Sequence, residues 1–175
     1  MTESFCLYHS QLVRYQEGES ACRLALDRLA AFVPEVEETR TRTLIKIWQS
    51  HFNRLLGRND PAQRLRLECR TLLEQTAAQA LDTRAEHALL SFELGESIKE
   101  SSFAVASEHF LRSLSLFQEL GQQWWAAQAM LEWQDWTRGK TNGKNRARSQ
   151  VSAVADVMRR DAFRIVRQEV PSLAL

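Results

Sequence analysis

Long apolar runs, turn-forming residues and paired cysteines are all scarce in this chain, and each scarcity excludes a class of protein. No stretch of its 175 residues approaches the roughly 20 apolar residues needed to span a bilayer. The opening Met1-Thr2-Glu3-Ser4 lacks the basic and apolar regions of a secretory signal, so a cytoplasmic location away from membranes is expected. Six glycines and three prolines are too few for the many turns of an all-β fold, which leaves an almost wholly helical chain. Three cysteines, Cys6, Cys22 and Cys69, form no C-x-x-C pair and give neither a disulfide framework nor a zinc site. They read as reduced, buried small side chains, with Cys6 and Cys22 facing each other across the first hairpin.

Catalytic and metal-binding patterns are missing as well. His9, His51, His87 and His109 fall on different predicted helices, with no H-E-x-x-H and no i, i+4 pair, so no metal site is expected. Gly139-Lys140-Thr141 is like the end of a phosphate-binding loop, but Gln134 stands where that motif needs glycine and the flanks are helical, so it reads as a turn. Carboxylates are plentiful, yet nothing pairs one with a nucleophile. The expectation is a non-enzyme without cofactors.

What is present is a repeat. Ala21, Ala62, Ala106 and Ala147 recur 41, 44 and 41 residues apart. Each follows a turn signal: Gly18, then Gly57 with Asn59-Asp60-Pro61, then Ser101-Ser102, then Asn142-Gly143. A period of this length is one helical hairpin, which must stack on neighbours to bury its apolar face. Four units result, about 3–33, 35–81, 84–121 and 122–168. In the first, a helix over 3–16 pairs with one over 19–33 whose buried face is Ala21, Leu24, Ala25, Leu29 and Phe32. The second pairs Glu35 to Leu56 with a helix that starts at Asp60-Pro61, carries Leu65, Leu67, Leu72 and Leu73, and runs to about Leu81. The third pairs Ala85 to Lys99 with Ala104 to Leu120, closed by Gly121 as a C-cap. The fourth opens with Gln122 to Arg138, where Trp125, Trp133 and Trp136 share a stripe with Ala129; they read as packed aromatic core, with an exposed partner surface as the alternative.

The net charge of +1 conceals an alternation in sign. Residues 1–38 have 3 basic and 7 acidic side chains, 39–84 have 9 and 4, 85–137 have 2 and 8, and 138–175 have 9 and 3. Stacked in order, successive layers carry opposite charge, which favours register between neighbours or a banded surface potential; the alternative is solvated helix faces with charge clustered by chance.

In the third unit Leu94-Gly95, followed by Ala106, Phe110 and Ser113, resembles a tetratricopeptide repeat of the divergent, lengthened kind found in large bacterial regulators and signalling ATPases. The leucine-glycine pair matches the family's first helix, and the small, aromatic and small residues match its second. The other three units keep Ala21 and Ala25, Ala62 and Cys69, and Ala147 and Val151, without the leucine-glycine pair. The resemblance implies an all-α fold, a right-handed superhelix of stacked hairpins whose first helices line a concave groove.

A protein-interaction scaffold or regulatory adaptor follows, holding a partner helix or peptide in that groove. Alignment to the repeat pattern nominates Ile47, His51 and Arg54 in unit two, Phe92, Glu96 and Lys99 in unit three, and Trp133 in unit four. An alternative is nucleic-acid binding through the basic loop 138–148, with Arg138, Lys140, Lys144, Arg146 and Arg148 and no acid between Asp135 and Asp156. A third is a regulatory or oligomerisation segment of a larger assembly, because Val151, Val154, Val157, Ile165 and Val166 on the last helix need a cover. That surplus predicts a homodimer or docking.

Overall fold

Helical spacing of apolar residues, ended by left-handed residues, divides the chain into rods. A computed structural model describes residues 2–31, 36–77 and 82–141. Among these residues there are seven helices and no strand: α1 (Thr2–Gln11), α2 (Tyr15–Leu29), α3 (Val36–Leu55), α4 (Asn59–Ala77), α5 (Arg84–Ile98), α6 (Phe103–Glu119) and α7 (Gln123–Thr141). The expected last helix and tail, from 142 onward, lie outside the described residues, as does Leu81 at the expected end of α4.

Three helices stop in the same way. Gly57 at φ +73° and Gly121 at φ +66° end α3 and α6, as their positions in the sequence predict. Each is bracketed by paired backbone bonds: Gly57 to Arg54 with Arg58 to Asn53, and Gly121 to Gln118 with Gln122 to Phe117. The same pair of bonds, Val13 to Ser10 and Arg14 to His9, closes α1 with a β-branched residue, Val13, at φ +59°. The first turn therefore falls at 12–14, not near Gly18, and α2 begins four residues earlier than the 19 expected.

Gly18 is instead a buried helical residue. It stands fourth in α2, as Ala62 does in α4 and Ala106 in α6, and these three are spaced by 44 residues each. The repeat's first member is thus Gly18 rather than Ala21. An added Cβ on Gly18 would sit 2.5–2.7 Å from the ring of Phe52, so α2 and α3 approach closely only because this position has no side chain. Gly95 does the same on a smaller scale, with Phe110 of α6 at 3.1–3.2 Å from an ideal Cβ.

The recurrence extends into the core. Ala62, Cys69 and Leu73 of α4 and Ala106, Ser113 and Phe117 of α6 occupy equivalent positions and are all at most 1% exposed. Leu24 and Leu67, expected on buried faces, are instead more than half exposed; the buried stripe of α2 passes through Gly18 and Cys22, which rotates Leu24 outward. Cys6 and Cys22 are both buried and free. Their mutual hydrogen bond, with burial, pushes the Cys22 thiol far above its ordinary range, and burial pushes Cys69 up to about 12.

Each helix packs on the next along the chain, and α1 also meets α3 and α3 meets α5. Helix α5 touches α3, α4 and α6 and is buried on several faces, from Ala88 to Gly95, its apolar residues being spread around the helix instead of lying on one stripe. Trp125 of α7 joins the layers: its ring stacks on Phe117 of α6 at 5.5 Å and meets Trp48 of α3 at 5.9 Å and Phe92 of α5 at 6.4 Å. Trp133 and Trp136 pack with Ala106 and Phe110 in a second cluster, so the core reading of the tryptophan stripe holds. Residues 139–141, read as a turn, are the end of α7.

Alternating charge also has a structural outcome. The basic second block, from α3 and the turn after it, pairs with both acidic neighbours. Arg58 reaches Glu19 at 3.9 Å, and Arg40 donates to Glu86 at 3.0 Å. Arg54 donates to Glu93 at 2.9 Å. All three acceptors are at most 7% exposed, so these pairs lie between packed elements; the fourth block, from 138, lies mostly outside the described residues.

Candidate functional site

Helices α1, α3, α5 and α7, with Tyr15 at the start of α2, together line one cleft of about 260 Å³. Its apolar walls include Leu7, Ile47, Trp48, Leu89, Phe92, Trp124 and Trp125. Most are core residues that show one edge to the cleft, but Trp124 is 49% exposed and meets Trp125 edge-on at 4.8 Å.

The polar side of the cleft is built around one carboxylate. Glu93 of α5 is 2% exposed and is gripped by α3: Arg54 donates from Nε to Oε1 at 2.9 Å and from Nη2 to Oε2 at 3.3 Å. From α4, Arg66 brings Nη1 to 3.7 Å of Oε1, and is itself fixed by Ser50 Oγ at 3.3 Å. Burial alone would push the Glu93 carboxyl up; the His51 hydrogen bond and the charges of His51 and Arg54 outweigh it and hold it below the ordinary carboxylate range. Burial likewise opposes charge on Arg54, and Glu93 overcomes it, so Arg54 is raised. Arg66 is lowered, burial there exceeding what Glu93 restores.

His51 completes the network. Its Nδ1 lies 3.1 Å from Glu93 Oε2 and 3.3 Å from Arg54 Nη2; because a carboxylate only accepts, the tautomer assigned to the shorter contact has its proton on Nδ1. Its Nε2 lies 3.1 Å from Ser10 Oγ of α1. Serine, imidazole and carboxylate thus stand in the order of an acid–base relay. Two features distinguish its surroundings from those of a serine-hydrolase triad. The Glu93 charge is already neutralised by two guanidinium groups instead of being free to stabilise an imidazolium. Ser10 stands within α1, where backbone amides serve the helix and not an oxyanion.

Toward solvent the charge balance changes. Glu96 is held by Lys99 at 2.9 Å and 3.0 Å and by Arg54 Nη1 at 3.4 Å. Glu132 of α7 forms one ion pair among the described residues, with Lys99 at 3.9 Å, and also feels the more distant charge of Arg54. Half-burial, then the nearby Glu96 charge, raise its carboxyl above the ordinary range.

Of the residues nominated from sequence, Ile47, His51, Arg54, Phe92 and Glu96 line this cleft. Lys99 stands behind Glu96, and Trp133 is apart, buried against α6 with Nε1 donating to Ser107 at 3.4 Å. Arg138 is exposed at the end of α7 and forms an ion pair with Asp135 at 3.3 Å; Lys144, Arg146 and Arg148 lie outside the described residues, as does the Lys140 side chain. The sequence reading missed Glu93, Trp124 and Glu132. Glu93 had a visible signal, a lone carboxylate inside the apolar run from Ala88 to Leu94.

No known protein family, curated protein or solved structure matches the chain. Among the described residues no cluster of His, Cys, Asp and Glu is arranged to hold a metal ion, and no helix is long and apolar enough to cross a membrane.

Proposed function

We propose that the protein is a non-catalytic interaction scaffold or adaptor, a tetratricopeptide-like array of hairpins stacked in a right-handed superhelix, which holds a helix or peptide of a partner protein in the cleft. The observation that carries this reading is the cleft itself. Odd-numbered helices from successive hairpins contribute to one concavity, and the half-exposed Trp124 stands in it as the kind of aromatic anchor that dominates protein interfaces. The recurrence of Gly18, Ala62 and Ala106 at 44 residues supports stacked, equivalent hairpins. The saturated state of the Glu93 network supports a structural role for its histidine, since each charged group already has partners.

Capture from native lysate on the immobilised full chain, after nuclease treatment, tests the reading. A defined protein retained by the wild type and lost with Trp124→Ala, but kept with Leu67→Ala on exposed α4, is the expected result. Material that disappears entirely on nuclease treatment, or that binds both variants equally, counts against it.

A further inference from the structure

We infer that the cleft's occupant is a basic peptide segment, one that seats an apolar side chain among Trp48, Phe92 and Trp124 and brings an arginine or lysine onto Glu132. This rests on the cleft reading above and adds the chemistry of the partner.

Size comes first. At about 260 Å³ the cleft is below the roughly 300–1,000 Å³ usual for small-molecule sites, which suits one large side chain and its neighbour from a continuous chain. Charge comes second. The cleft-lining side chains include one guanidinium, Arg54, against three carboxylates, Glu93, Glu96 and Glu132. Glu93 and Glu96 are held at 2.9–3.0 Å by fixed cations. Glu132 is not: its one ion pair is a 3.9 Å contact with a Lys99 already engaged by Glu96. A half-buried, under-compensated carboxylate beside an aromatic wall favours a cation brought by the occupant.

The test uses the full-length chain and three fluorescein-labelled 12-residue peptides with leucine and phenylalanine at the same positions and arginine, glutamine or glutamate elsewhere. The arginine peptide is expected to bind at least tenfold tighter than the glutamine peptide, and the glutamate peptide more weakly still, by fluorescence anisotropy. Glu132→Gln should shrink the arginine preference below threefold and leave the glutamine peptide unchanged. The control Glu108→Gln, an exposed carboxylate on α6, should keep it. Equal binding of the arginine and glutamine peptides overturns the basic occupant while leaving the cleft reading intact. A preference that survives Glu132→Gln overturns it also, and failure of all three peptides to bind at 100 µM overturns both.

Discussion

Replacing Glu93 with glutamine preserves the shape of the side chain and removes its charge, leaving two guanidinium groups and an imidazole around a neutral amide. Arg54 and Arg66 are only 16% and 11% exposed, so solvent compensates them poorly. Removing one partner of a buried ion pair costs about 3–5 kcal/mol. Arg54 keeps Glu96 at 3.4 Å, which places the expected loss near the lower end, about 3 kcal/mol. For a chain of this size that lowers Tm by about 6–12 °C. Urea unfolding followed by tryptophan fluorescence reads the loss directly, because Trp48 meets His51 edge-on at 5.4 Å. The pH dependence gives a second constraint. Glu93 is held below its ordinary value in the fold, so its charged form stabilises the protein above the unfolded carboxyl value of about 4.3, and that stability is lost as pH falls through the lower folded value. The gap between wild type and Glu93→Gln is therefore widest at neutral pH and closes on acidification. A loss under about 1 kcal/mol at pH 7, outside the range for a buried pair, or a gap that does not change with pH, refutes the reasoning.

Gly18→Ala drives a methyl group into the ring of fully buried Phe52 and should destabilise by about 1–3 kcal/mol through overpacking, measured by urea midpoint at constant m. Val13→Gly relieves a β-branched residue at φ +59° on an exposed turn and should add about 1 kcal/mol, read as a higher Tm. The Ser10–His51–Glu93 relay is expected to be structural, so p-nitrophenyl acetate hydrolysis should be no faster with wild type than with Ser10→Ala; a rate that falls with that substitution marks a nucleophile.

Among the described residues, helix type and most helix ends were legible because apolar spacing and two glycine stops act locally: Gly57 and Gly121 need only their own backbone to end a helix. The start of α2 was not, because glycine serves two purposes and its use at 18 is set by Phe52, far away in sequence. Leu24 and Leu67 show the same limit, since a helix stripe read from leucines alone misses one made of Gly18 and Cys22 in α2 and of Ala62 and Cys69 in α4. At the cleft, positions on α3 and α5 followed from the repeat pattern, whereas Trp133 did not, because α7 carries tryptophans on two faces and packing against Phe110 decides which one is inside. Glu132 could not be assigned from spacing, and Lys99, nominated for the groove, stands behind Glu96 instead, since both roles depend on distances between helices.

Hydrogen–deuterium exchange on the full chain, alone and saturated with its captured protein partner, tests the central claim most directly. The cleft reading predicts slowed exchange in α3, α5 and the first half of α7, with α4 and α6 unchanged. Protection confined to α4 and α6, on the far side of each hairpin from the cleft, contradicts it.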